Sequence, residues 1–219
     1  MNNYMKKAIV LGGSRGIGKA ISESLKTLDI DVIAASKSDI DTSNMESVRK
    51  FLQTYSNTDI LVLNTGGPPV LEFKKISEED WKKYHNQLFL GFCTILQNIS
   101  ISDNGYIFVI TSNVIKEPNS KLIISSAYRA AFSSVFKILS KEFASRNITM
   151  INIAPGPINT DRTKELVDNV GEYADSLPME RLGEPEEIGN FVKLIVEKEI
   201  KYLSGVVINF DGSNSNYVY

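Results

Sequence analysis

Short runs of β-branched and aliphatic residues, each closed by glycine or polar turn residues, recur along the chain: KKAIVLGG from residue 6, DVIAAS from 31, TDILVLNTGG from 58, GYIFVITS from 105, ITMINIAPG from 148 and GVVINFDG from 205. They are apolar at successive rather than alternate positions, so each strand needs cover on both faces, as in a parallel sheet between helical layers. Between them lie segments with helical spacing: GKAISESLKTL, SEEDWKKYHNQLFLGFCTILQNI, LIISSAYRAAFSSVFKILSKEF and EPEEIGNFVKLIVEKEI. Ser77, three residues before Asp80, makes a capping-box pattern, and Pro185 followed by two glutamates suits a first helical turn. This alternation predicts an α/β fold, a single doubly wound parallel sheet with helices on both faces. One connection is short. Only KSDID separates the second strand from TSNMESVRKFL, less than a parallel crossover needs. The sheet is therefore expected to be shortened after the second strand, lacking a helix and an edge strand there.

At 219 residues, 42% of them hydrophobic, the chain suits one domain spanning 1–219. A net charge of -2 supplies no basic field for nucleic acid or anionic lipid, so neither partner is expected. The start, MNNYMKK, lacks the apolar centre of a secretory leader, and no apolar run is long enough to span a bilayer; the cytoplasm is the expected compartment. The single cysteine, Cys93, lies in FLGFCTIL and reads as a small buried apolar residue, and the single histidine, His85, as helix surface. Together they make neither a disulfide nor a metal-ligand set, and no metal is expected.

Chemistry enters at LGGSRGIGKA, where Gly12, Gly16 and Gly18 sit between a strand and a helix. Glycines there permit a tight turn and close backbone approach, so that a pyrophosphate can rest at the positive helix N-terminus. Two other readings stand beside this one. Gly13 to Lys19 nearly spells a P-loop but continues with Ala20 in place of a magnesium-binding hydroxyl, and the glycines can serve the turn alone.

The loop GGSRGIG, followed in order by NTGG from Asn64, VITS ending at Ser112, PGPINT from Pro155 to Thr160 and the terminal LSGVVINFDGS, resembles the short-chain dehydrogenase/reductase family. The resemblance covers nearly the whole chain. It implies a Rossmann-type domain with its site at the carboxyl ends of the strands, binding NAD(P) through Gly12, Ser14, Arg15, Gly16, Ile17, Gly18, Asn64, Gly66, Pro155, Gly156, Ile158 and Thr160. Asp41 matches the position beside the adenine. Where relatives that prefer NAD end the second strand with an acid, this chain has Ser36 and Lys37, with Arg15 nearby, which favours NADP(H) over NAD(H). The segment 160–182 corresponds to the family's substrate lid, where Arg162 and Lys164 offer charge. The family is commonly dimeric or tetrameric, so a homodimer or homotetramer is expected.

The same resemblance exposes departures at the catalytic centre. Ser112 matches the serine that orients the carbonyl. Counting onward, Ser125 falls in the position of the proton-donating tyrosine and Arg129 in that of its lysine partner four residues later. Shifting the frame to Tyr128 puts Phe132 in the lysine place. The asparagine position, seven residues after Trp81, holds Leu88. A serine hydroxyl is a far weaker acid than a phenol, and arginine keeps its proton. The candidate catalytic set is therefore Ser112, Ser125, Arg129 and Tyr128, with Tyr128 or a water as proton source. The favoured function is an NADP(H)-dependent oxidoreductase acting on a carbonyl or hydroxyl group of a small molecule. The alternatives are a dinucleotide-binding module without turnover and a non-redox branch related to dehalogenases, which shares the arginine.

Overall fold

A computed structural model of the chain describes residues 5–218. Its centre is a six-stranded, wholly parallel sheet of β1 (Lys7–Leu11), β2 (Asp31–Ala35), β3 (Asn57–Leu63), β4 (Ser100–Ile110), β5 (Thr149–Pro155) and β6 (Val206–Phe210), in the order β2-β1-β3-β4-β5-β6. The strands are apolar on both sides because both sides are covered. Ile9, Leu11, Leu61, Leu63, Ile107 and Val109 face one core, and their neighbours Ala8, Val10, Ile60, Val62, Phe108 and Ile110 face the other. The period of two is simply divided between two layers.

On the first face lie α2 (Met45–Thr54), α4 (Gly91–Asn98) and α5 (Ile123–Phe143), contributing Val48, Phe51, Phe92, Ile95, Phe132 and Phe136. On the second lie α1 (Gly16–Lys26) and α8 (Pro185–Glu197), contributing Ile21, Leu25, Ile188, Val192 and Ile195. These last two helices pack closely: a Cβ at Gly189 would stand 2.7 Å from the Ala20 carbonyl oxygen. The short second connection has the expected result. The chain returns from β2 to β3 through α2 alone, and β2 is the edge of the sheet.

Helix α3 (Glu78–His85) begins with the Ser77–Asp80 capping box read from the sequence, and Pro185 lies in the first turn of α8. Between α3 and α4 one π turn, Asn86–Leu90, inserts extra backbone. Two short helices, α6 (Asp161–Leu166) and α7 (Val170–Asp175), follow β5 in the segment read as a lid. From β1 the chain moves outward to β2, then crosses back past β1 to build β3 through β6. The strand order reverses between β1 and β3, which opens a crevice at their carboxyl ends where ligands of such sheets bind. No helix among the described residues is long and apolar enough to cross a membrane.

Candidate active site

That crevice is a cavity of about 810 Å³. At one end it is lined by Gly12, Ser14, Arg15, Gly16 and Ile17 from the loop before α1. Gly12 and Gly16 have φ of 60° and 51°, the left-handed region that favours glycine. Gly18 does not line the cavity. A Cβ there would come 2.2 Å from the Gly12 carbonyl oxygen, so it serves the close packing of loop on helix. Asn64, at the end of β3, donates from Nδ2 to the Gly12 carbonyl at 3.4 Å and ties the loop to the sheet. Opposite stand Gly66, Pro155, Gly156, Ile158 and Thr160, the last also capping α6 through Thr163.

At the edge-strand end, Ser36, Lys37 and Asp41 line the cavity. The Lys37 ammonium lies 3.5 Å from Asp41. Burial works to raise the Asp41 pKa, but hydrogen bonds from Ser43 and the charge of Lys37 outweigh it and hold the carboxyl below its ordinary range. Sequence reasoning missed Asp39. Its Oδ2 accepts both the Ser36 hydroxyl at 2.6 Å and the Ser36 N–H at 2.7 Å.

At the other end Ser112, Ser125 and Arg129 meet. Ser112 lies just beyond the end of β4 and opens a single 3₁₀ turn, its Oγ accepting from the Val114 N–H. Ser125 and Arg129 are one turn apart on α5, each only 7% exposed. Arg129 donates from Nε to Ser125 Oγ at 3.2 Å, from Nη1 to the Ile110 carbonyl at 2.8 Å and from Nη2 to the Thr65 carbonyl at 3.4 Å. Burial, and then repulsion from Arg162, pull the guanidinium down to about 10. It therefore stays charged at neutral pH, yet no carboxylate among the described residues forms an ion pair with it.

Tyr128 lies elsewhere. Its hydroxyl donates to the Trp81 carbonyl at 3.1 Å, and its ring packs edge-on against Trp81 and His85 in a small apolar cluster with Tyr84, Leu88 and Ile124. It does not line the cavity, and burial raises its pKa further from neutrality. The placement corrects the expectation that Tyr128 stands ready as proton source: the residue next to Arg129 points off a different face of α5 and is used in helix packing.

Leu88, in the asparagine position, is buried in that cluster. The amide at this place comes from Gln87, which sequence reasoning missed. It lines the cavity, and its Nε2 donates to the Gly66 carbonyl at 2.7 Å and to Thr65 Oγ1 at 3.4 Å. The available signal was its spacing of four from Lys83, which lines the same wall. Arg162, from α6, donates to the Pro68 carbonyl and pairs with Glu165 at 3.2 Å. The loop 65–68 is thus held by Arg129, Gln87 and Arg162 from three separate helical elements. Lys164 does not line the cavity. Cys93 packs partly buried against the first core, where burial raises its thiol pKa. Among the described residues no group of histidine, cysteine and carboxylate side chains could hold a metal.

A profile of the family described as enoyl-(acyl carrier protein) reductase matches residues 37–213. The 3-oxoacyl-(acyl-carrier-protein) reductase FabG of Escherichia coli (strain K12) is 30% identical, the alignment covering 97% of this chain and 98% of that protein. Its counterpart from Chlamydia muridarum (strain MoPn / Nigg) is 29% identical over 97% of this chain and 99% of its own. Among solved structures, a blue fluorescent protein from a metagenomic library in complex with NADPH superposes with a TM-score of 0.86 at 22% identity, covering 99% of this chain and 100% of that one. YwfH, an NADPH-dependent reductase involved in bacilysin biosynthesis, gives 0.82 at 24% identity, covering 98% and 100%. At these identities the superpositions speak to the fold, while the profile and the curated relatives speak to descent. The chain belongs to the enoyl-(acyl carrier protein) reductase family of the short-chain dehydrogenases/reductases and is an oxidoreductase of that type.

Proposed function

We propose that the protein is an NADP(H)-dependent reductase of a small carbonyl compound, using a serine pair backed by a buried arginine in place of the usual tyrosine and lysine. The observation that carries this reading is continuity: one cavity is lined both by the glycine loop and by Ser112, Ser125 and Arg129. A dinucleotide fits that shape. The left-handed glycines leave backbone open to a pyrophosphate at the start of α1, and Lys37 and Arg15 offer charge for a 2′-phosphate beside Ser36, whose hydroxyl and N–H are held by Asp39 until a ligand displaces it. Gly156 and Thr160 line the wall toward the lid. Of the two proteins of the same fold described above, one is in complex with NADPH and the other is an NADPH-dependent reductase.

When bound, the reduced nicotinamide supplies a hydride to the carbonyl carbon. The chain's own residues act on the oxygen. Arg129 Nε donates to Ser125 Oγ, which leaves the serine's own O–H free to donate and polarises it. Ser125, together with Ser112 once its hydroxyl turns from Asn113 Oδ1, 3.3 Å away, forms a two-hydroxyl site for an oxygen gaining negative charge, and the uncompensated guanidinium of Arg129 favours that charge. The proton that completes the alcohol comes from water in the open cleft, since Tyr128 is engaged with Trp81.

Calorimetric titration of the cofactor-free protein with NADPH and, in parallel, NADH tests the first half. Micromolar binding of NADPH with weaker NADH is expected. The second half is tested by NADPH consumption with a panel of carbonyl compounds, comparing the protein with Ser112→Ala and Ser125→Ala. Loss of about a hundredfold to a thousandfold in kcat for each is the expected cost of one oxyanion donor. Turnover unchanged in both variants would end the serine-pair assignment.

A further inference from the structure

We propose that the substrate is a 2-oxo acid whose carboxylate is held between Arg129 and Arg162; this rests on the reading of the cleft as an NADP(H) reductase site.

A guanidinium carries five N–H groups, and the bonds to Ser125, Ile110 and Thr65 use three. All three acceptors are neutral. They orient Arg129 without returning the charge, although the residue is more than nine-tenths buried. A buried charge left in this state is costly unless an anion joins it. The remaining two N–H groups suffice for one bidentate carboxylate.

Arg162 makes the arrangement more specific. It lies against the loop 65–68, where a Cβ on Gly67 would stand 3.4 Å from its Nε. Its guanidinium lines the same cavity as that of Arg129, and the two feel each other's charge. Glu165 at 3.2 Å offsets Arg162 only partly, because that carboxylate is 61% exposed and its attraction is weakened by solvent. Two cations contact one loop, and the only ion pair either makes among the described residues is with an exposed carboxylate, which makes a place for an anion. In the proposed reading the cofactor's own phosphates belong to the glycine loop and to Lys37 and Arg15.

The position of the reacting carbonyl selects the class of acid. Ser125 Oγ is only 3.2 Å from Arg129 Nε. A carbonyl held by Ser125 and a carboxylate held by the remaining N–H groups, on Nη1 and Nη2 of the same guanidinium, belong to one compact ligand, which favours an acid whose carbonyl adjoins its carboxylate, a 2-oxo acid. The reaction is then 2-oxo acid plus NADPH plus a proton to 2-hydroxy acid plus NADP⁺, with the hydride on C2 and the proton on its oxygen.

The test uses the full chain saturated with NADPH and follows nucleotide fluorescence and oxidation. Phenylpyruvate, 2-oxobutyrate and 2-oxoglutarate are titrated beside their methyl esters, with benzyl phosphate as an anion of different shape. At least one acid is expected to bind about tenfold or more tighter than its ester, a gap of about 1.4 kcal/mol or more, and to be reduced. Arg162→Gln is expected to erase that gap while leaving NADPH affinity unchanged. Arg129→Lys, which keeps a charge but not the fork, is expected to weaken the acid about tenfold. Equal binding of acids and esters, binding of neither, preference for the phosphate, or discrimination that survives Arg162→Gln would each overturn the proposal. Failure of NADPH itself to bind would instead overturn the nucleotide reading on which the proposal rests.

Discussion

Arg129 holds a charge inside the protein against neutral partners only, so its retention costs stability. Replacing it with methionine, of comparable length, removes that cost. The Ile110 and Thr65 carbonyls it leaves border an open cavity where water can reach them. The expected Tm of Arg129→Met is unchanged or higher, by up to about 2–4 °C for about 1 kcal/mol in a chain of this size, while NADPH-linked turnover falls at least about a hundredfold. A scanning calorimeter and one rate assay check both halves; a clear fall in Tm would make Arg129 a structural keystone instead. Asp39 poses the opposite problem at the nucleotide end. Its carboxylate occupies both Ser36 donors, which places a negative group where a 2′-phosphate is proposed to sit. Asp39→Asn is expected to tighten NADPH about threefold to tenfold and leave NADH unchanged, as read by parallel titrations.

Helix ends are fixed by side chains as well as by backbone, and α8 shows the means. Glu187 accepts from the Glu184 N–H at 2.8 Å and takes both guanidinium arms of Arg181, at 2.8 and 2.9 Å. The Arg181 hydrogen bonds, then the backbone N–H, pull its carboxyl from 4.5 to about 2. A depressed carboxyl adds stability above its unfolded pKa and loses it as pH falls through the folded value. Glu187→Gln is thus expected to cost about 1 kcal/mol at neutral pH, the upper range for an exposed pair because the contact is bidentate and caps a helix. That cost should shrink between pH 4.5 and about 2, visible as converging melting curves of the two proteins. This cap was partly legible: Pro185 and the two glutamates marked the helix start, whereas Arg181 reaches it from outside the helix. All six strands could be read because burial on both faces leaves an unbroken apolar run. The π turn could not, because Asn86–Leu90 breaks no pattern of residue type; it changes only the backbone count. Counting from Trp81 therefore found Leu88 but passed over Gln87. Tyr128 failed for a related reason. A helical angle says which way a side chain leaves the axis, but Trp81, brought in by α3, decides where the ring settles.

For the molecule as a whole, charge is distributed against its own sum. The chain carries a net charge of -2, yet the cleft gathers Arg15, Lys37, Lys83, Arg129 and Arg162 against Asp41, Asp161 and Glu165, five cations to three carboxylates. An anionic dinucleotide approaching from a distance meets weak repulsion; within the crevice it meets attraction focused by low-dielectric walls. Which field governs capture is settled by salt. Screening acts over about 10 Å at ~0.1 M ionic strength and about 30 Å at ~0.01 M. If the local field of the cleft dominates, added salt screens an attraction, and the association rate of NADPH falls. If net charge dominates, added salt screens a repulsion, and the rate rises. The crowding of cations along one cavity favours the first. Stopped-flow association is expected to slow severalfold between ~20 and ~300 mM salt. Lys37→Ala and Arg15→Ala, which touch only the nucleotide end, should flatten that dependence. Arg162→Gln should leave it nearly intact if, as proposed, Arg162 serves the substrate rather than the nucleotide. A rate that rises with salt in the unaltered protein would mean that the cleft's cations act only after contact, in holding the ligand rather than in drawing it in.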